Sequence, residues 1–283
     1  MRRTSPCTRI MGGKPEDKCR SEALFLTAKV SSSEMSIEIE SQELNKRLIM
    51  SVISENWQAT LSRVRLAAQN AGRAPDSVKV LAVSKTFPLP ALIEAAAAGA
   101  TAFGENYVQE GIAKIDAWRE QGQARFPGVE WHFIGPLQSN KTRLVAEYFD
   151  WVHSVDRLKI AERLSSQRPT HLPALQVCVQ VNISRETSKS GAMPEEVVTL
   201  AQQMALLPRL KVRGLMAIPE PQPDFVRQRT AFAALQHLWQ ECQQAGLPLD
   251  TLSMGMSADL EAAIAEGATL VRVGTAIFGQ RTG

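Results

Sequence analysis

The sequence is poor in the residues that mark metal or disulfide chemistry. Its four cysteines, Cys7, Cys19, Cys178 and Cys242, have no metal-type spacing, so neither a zinc site nor a disulfide framework is indicated. Cys178 lies in an apolar run, where a thiol behaves as a small hydrophobe. The four histidines are equally scattered, and only His132 and His153 fall in strand-like segments that come near a site. A formal net charge of +3, with the basic residues dispersed, argues against a nucleic-acid partner. No apolar run is long enough to span a bilayer, which argues against a membrane partner. The early run from Ala23 to Val30 is broken by Thr27 and Lys29 and makes a poor signal-peptide core despite Arg2 and Arg3. The expectation is a cytoplasmic protein.

What is present reads as ordinary globular sequence, 44% hydrophobic and 22% charged over 283 residues, enough for one large α/β domain or two smaller ones. Residues 1–49 stand apart. Up to Ser36 they mix Pro, Gly, Ser, Lys and Glu with little periodicity, and 37–49 read at most as a weak helix, so the segment is expected to be a disordered or weakly helical extension. Periodic sequence starts after Met50, where Trp57, Leu61, Val64, Ala68 and Ala71 mark one helical face that ends at Gly72. The folded domain is therefore expected over 50–283.

From there strand and helix alternate. Strands are predicted at Val78–Ser84, Thr101–Gly104, Trp131–Ile134, Trp151–Val155, Leu175–Ile183, Val212–Ile218, Thr251–Met254 and Leu270–Val273. Helices are predicted at Pro88–Ala98, Tyr107–Gln121, Leu137–Tyr148, Asp156–Gln167, Pro194–Leu207, Asp224–Ala245 and Ala258–Glu266. Gly99, Gly246 and Gly267 mark helix C-terminal junctions, since glycine takes the left-handed cap conformation without steric cost. This pattern predicts a closed (β/α)8 TIM-type barrel with an N-terminal helix over the final gap. The open doubly wound sheet is the alternative, disfavoured because no Gly-rich dinucleotide loop follows the first strand.

In such a barrel the chemistry sits at the C-terminal strand ends. Lys85 follows the apolar run Val78–Ser84. An amine there is partly desolvated, which favours its neutral form and attack on an aldehyde to give a Schiff base; a lysine snorkelling at a strand end is the plainer reading. Near the C-terminus, Ser257, Gly274, Thr275 and Arg272 form a phosphate-binding pattern. Hydroxyls, exposed backbone N–H groups and a fixed positive charge meet where this barrel commonly holds phosphate. Taken singly, Ser257 reads equally as a helix cap and Arg272 as a solvated rim charge. A lysine and a phosphate cup on one mouth point to an aldehyde bearing phosphate, either pyridoxal 5'-phosphate or a sugar phosphate in a Schiff-base aldolase; the residues alone leave both open.

Motifs separate them. The segments Ala82-Val83-Ser84-Lys85-Thr86, Phe103-Gly104-Glu105-Asn106-Tyr107-Val108-Gln109-Glu110, Trp131 to Lys141, Gly214-Leu215-Met216-Ala217-Ile218-Pro219 and Val271 to Gly279 together resemble the YggS/PROSC family of pyridoxal-phosphate homeostasis proteins, from about Met50 onward. The resemblance implies a barrel similar to the N-terminal domain of alanine racemase, with the cofactor on Lys85, its phosphate at Ser257, Arg272, Gly274 and Thr275, and its ring beside Asn106 and Met256. It implies a protein that holds and delivers or buffers the cofactor, without turnover, to pyridoxal-phosphate-dependent apo-enzymes. A racemase or decarboxylase of the same fold is the alternative, but alanine racemases take an acid/base group from a second domain or a partner subunit. Lys189, in the loop after the fifth strand, is a candidate second landing amine. A monomer is the default expectation.

Overall fold

Segments that are apolar on both faces become strands that are covered on both faces. In the computed structural model, which describes residues 52–186 and 189–280, these strands are β1 (Lys79–Val83), β2 (Ala102–Glu105), β3 (Glu130–Phe133), β4 (Trp151–Val155), β5 (Leu175–Gln180), β6 (Leu210–Met216), β7 (Thr251–Ser253) and β8 (Leu270–Val273). They pair in sequence order, all parallel, and β8 returns to β1 to close the barrel. The expected (β/α)8 architecture is thus present. The extension expected at 1–49 lies outside the described residues.

Helices alternate with the strands: α1 (52–70), α2 (Leu89–Ala97), α3 (Val108–Gln121), α4 (Thr142–Tyr148), α5 (Leu158–Gln167), α6 (Val197–Ala205), α7 (Phe225–Gln244), α8 (Leu260–Ala265) and the short α9 (Thr275–Phe278). The main core is the annulus between sheet and helices. The barrel interior is a separate filling of Leu81, Ala102, Ile134 and Leu270 at one side and Trp151, Cys178 and Met216 at another. In α1 the expected face is buried at Trp57, Val64 and Ala68, with Leu61 and Ala71 partly buried against it. This helix and the turn after it tie down C-terminal elements: Asn56 Nδ2 donates to Ile277 O at 3.1 Å, Arg63 Nη1 to Ser257 O at 2.9 Å and, from the turn, Arg73 Nη1 to Ile264 O at 3.0 Å.

Several boundaries differ from expectation: β6, for one, runs Leu210–Met216 where Val212–Ile218 is predicted, and the helix predicted from Pro194 begins at Val197 after a 3-10 turn. The helix predicted from Leu137 begins at Thr142 after a 3-10 turn at Ser139–Lys141, because Gln138 is extended (ψ 142°). The fifth strand stops at Gln180 although apolar sequence runs to Ile183. Val181 keeps its N–H on Met216 O of β6 at 2.8 Å but bridges Ala192, and Asn182 Nδ2 donates to Glu186 O at 2.8 Å, folding the following loop back on itself. Among the described residues no helix is long and apolar enough to cross a membrane.

Candidate functional site

The register of β1 on β8 sets the site. Leu81 lies opposite Arg272 and Ala82 opposite Val273, so the residues after Val83 and after Val273 emerge side by side at the same mouth. Ser84 still belongs to the sheet, its N–H donating to Gly104 O at 2.9 Å. Lys85, half-buried, follows in a turn two residues past the strand rather than ending it. Thr86 then takes φ 69°, a left-handed conformation that is costly for a β-branched residue. Phe87 stacks on Phe278 with ring centroids 4.9 Å apart, joining this turn to α9.

A cavity of about 300 Å³ opens at this mouth, and Lys85, Asn106, Met256, Ser257, Arg272, Gly274 and Thr275 all line it. Every predicted site residue is therefore brought to one place. Val83, Phe87, Ile134, Ile218 and Ala258 complete the lining and escaped sequence reading, since an apolar residue at a strand end carries no chemical signature. A larger cavity, about 470 Å³, lies at the opposite end among strand-start residues such as Lys79, Glu130, Thr251 and Leu270. Size alone would favour that end; the C-terminal mouth is where loops converge in such a barrel, here with an amine and the hydroxyls of Ser257 and Thr275.

Asn106 follows β2, and its Oδ1 is buried without a hydrogen-bond partner. Gly135 presses on the same residue: a Cβ there would stand 2.1 Å from Asn106 O. Ser257 is not the helix cap. Asp259 holds that position at α8, and its carboxylate turns back to accept from Met256 N–H at 2.6 Å, fixing the Met256–Ser257 turn. Burial raises the Asp259 pKa, opposed by the Met256 hydrogen bond and the charge of Arg272. Gly274 caps α9, and a Cβ on it would come within 3.2 Å of Val83 O, so a side chain would wedge β1 from the turn carrying Thr275.

Arg272 is not a rim charge either. It is 4% exposed and points into the barrel, where Nη1 donates to Ser253 O at 2.5 Å and Ser253 Oγ at 2.9 Å, and Nη2 to Ala217 O at 2.9 Å. Among the described residues no carboxylate comes within ion-pair distance of it, and burial pulls its pKa down to about 10. Nε–H and the second Nη2–H are the donors these three bonds leave over. Ser253 Oγ accepts from Arg272 and lies 2.8 Å from His153 Nδ1, and His153 Nε2 lies 2.9 Å from His132 Nδ1. His132 Nε2 faces Glu130, 3.8 Å away. Both imidazoles are neutral, burial holding each below the usual histidine pKa, and Glu130 is lowered to about 2, first by His132. The two histidines expected near a site are thus the packing behind its buried cation.

Lys189 is not among the cavity-lining residues; its Nζ pairs with Glu186 Oε1 at 2.5 Å. Cys178 and Cys242 are buried free thiols, pushed up to about 12 and about 11 by burial. Among the described residues no cluster of potential metal ligands occurs.

An amine beyond the first strand, facing hydroxyl-bearing turns after the seventh and eighth on a closed parallel barrel, defines the alanine racemase class of barrel. Residues 55–282 match the family model of the alanine racemase N-terminal domain. The chain is 57% identical to the pyridoxal phosphate homeostasis protein of Pseudomonas aeruginosa over 232 residues, covering 82% of this chain and 97% of that one. It is 55% identical to that of Vibrio cholerae over 232 residues, covering 82% and 98%. The solved structure of PipY from Synechococcus elongatus with PLP bound superposes with a TM-score of 0.67 at 38% identity, covering 80% of this chain and all of that one. The chain belongs to the family of pyridoxal phosphate homeostasis proteins.

Proposed function

We propose that this protein binds pyridoxal 5'-phosphate and stores or hands it on in vitamin B6 homeostasis, without turning over a substrate. Lys85 Nζ holds the aldehyde covalently. Ser257, Gly274 and Thr275 offer donors to the phosphate, Asn106 and Met256 flank the ring, and Arg272 supplies the buried positive charge. When bound, the cofactor supplies an electrophilic carbon that exchanges between amines, which suits loading and release. The convergence of all these residues on one cavity carries the reading. A buried guanidinium without a carboxylate fits an anionic occupant, and the unpartnered acceptor Asn106 Oδ1 fits one that also carries a hydrogen-bond donor.

Relatives and PipY support the cofactor. Among the described residues the cavity lining holds no His, Tyr, Cys or carboxylate, which supports a non-catalytic role, because racemisation needs acid/base groups on both faces of the substrate carbon. The unit 50–283 carries the function, as a monomer in the cytoplasm, and the recipients are pyridoxal-phosphate-dependent apo-enzymes. Exposed large apolar side chains are spread over several elements, Leu66, Tyr107, Leu206 and Phe225 among them, which supports the monomer.

The test is the visible spectrum of the loaded full chain, of a chain starting at Met50 and of Lys85→Ala. The first two should show the same absorbance of the covalently held cofactor and the third should lose it. Added amino acids should release cofactor without change of chirality or loss of carboxyl. Sustained racemisation or decarboxylation by a homogeneous preparation overturns the non-catalytic reading.

A further inference from the structure

Directly behind Lys85 lies a buried ionic cluster that never reaches the cavity. Lys114, in the second turn of α3 and 8% exposed, donates to Glu105 Oε1 at 2.8 Å, Glu110 Oε1 at 2.6 Å and the main-chain oxygen of Ser84 at 2.7 Å. Glu105, fully buried at the end of β2, also accepts from Ser84 Oγ at 2.5 Å. Glu110 Oε1 accepts the N–H of Thr86. The residue before Lys85 is thus held by Glu105 and Lys114, and the residue after it by Glu110, which Lys114 ties into the same cluster.

This is an expensive way to fill space. A buried ion pair loses hydration that apolar side chains of similar volume would not, so its retention is explained better by geometry than by stability. Burial raises the Glu105 pKa against the pull of Lys114, and Glu105 Oε2 has no partner at all. The geometry it enforces is unusual. Thr86 sits at φ 69°, and a β-branched residue relaxes out of that region unless its peptide groups are held.

We propose that Glu105, Glu110 and Lys114 are positioning residues for Lys85, gripping the peptide groups on either side so that its amine is presented to the cavity in one orientation. The inference rests on the pyridoxal-phosphate reading above and assigns to these residues the step in which the Lys85 nitrogen forms the C=N bond and the aldehyde oxygen leaves as water. Binding of phosphate and ring is left to the opposite wall.

That division supplies the test. Pyridoxine 5'-phosphate has an alcohol where pyridoxal 5'-phosphate has an aldehyde, so it occupies the cavity but cannot condense with the amine. Affinities of the full chain for both ligands are measured by calorimetry, and covalent attachment by absorbance and borohydride trapping. Glu110→Ala and the paired replacement Glu105→Gln with Lys114→Met should weaken pyridoxal 5'-phosphate at least about tenfold, because misplacing a reacting group by an ångström is that costly. They should leave pyridoxine 5'-phosphate within about twofold. Glu110→Gln keeps an acceptor oxygen for Thr86 and should recover most of the loss. Variants that bind both ligands as the parent does, or that lose both equally, overturn the positioning role. A parent chain that fails to prefer the aldehyde overturns the reading on which it rests and the inference with it.

Discussion

Glycine at 135 shows how one missing carbon fixes a cavity wall. The nearest atoms to a Cβ there are the main-chain atoms of Asn106, which cannot swing aside as a side-chain tip would. Gly135→Ala should cost about 1–3 kcal/mol in urea unfolding, the usual range for overpacking, and should weaken pyridoxine 5'-phosphate as well as pyridoxal 5'-phosphate, since the displaced residue lines the pocket. An unchanged affinity would place Asn106 outside the binding surface. Sequence made Lys85 and the Gly274–Thr275 turn visible because each is a polar or small residue at the end of an apolar run, whereas Asn106 and Met256 entered through the family resemblance. It made Arg272 visible as a charge inside the strand Leu270–Val273, and left a phosphate donor and a solvated rim charge equally open. Only the facing of β6, β7 and β8 reveals that its guanidinium turns inward to Ser253 and Ala217.

At the scale of elements, α1 braces the anion cup. Arg63 grips Glu261 through two bonds, at 2.5 and 2.6 Å, and reaches Ser257 O with Nη1, so one side chain joins α1 to the turn before α8. The ion pair itself is about two-fifths exposed (39% and 42%), so its contribution to stability is no more than about 1 kcal/mol. Arg63→Met should therefore unfold at nearly the parental denaturant concentration while its affinity for pyridoxine 5'-phosphate falls about fivefold, the equivalent of roughly 1 kcal/mol. Calorimetry against a denaturation curve separates the two, and a loss of stability without loss of affinity would make Arg63 a fastener only. Strands and helices were legible as elements because buried parallel strands are uniformly apolar and several helices end at glycine. Their ends were less so: the apolar run at Val181–Ile183 reads as strand, yet a side-chain amide at Asn182 wins the backbone for the loop. The Glu105–Lys114 pair joins a strand to a helix nine positions on, and periodicity does not show which charges face each other there.

For the whole molecule, the interior histidines predict how stability follows pH. His132 and His153 stay neutral in the native state, with pKa values lowered by burial, whereas the unfolded chain protonates them as pH falls through about 6.5. Stability is therefore complete above that pH and declines below it, by up to about 1.4 kcal/mol per pH unit for each imidazole. Glu94, Glu105, Asp150 and Asp259, raised by burial, oppose this decline as pH falls toward the unfolded carboxylate range, and Glu130, lowered to about 2, adds a loss of the same sign as the histidines below that range. Urea unfolding between pH 7 and about 5.5 should show the decline, and His153→Gln should roughly halve its slope; an equal slope in that variant would move the proton uptake to other groups.

The seam between β1 and β8 carries a consequence for biosynthesis. The amine emerges early from the ribosome and the anion cup among the last residues of the barrel, yet neither forms a cavity until the first and last strands meet. A nascent chain is blind to its ligand until translation of the ring is complete. A ligand held by residues on both edges would act as a rivet across the β1–β8 seam, resisting its reopening.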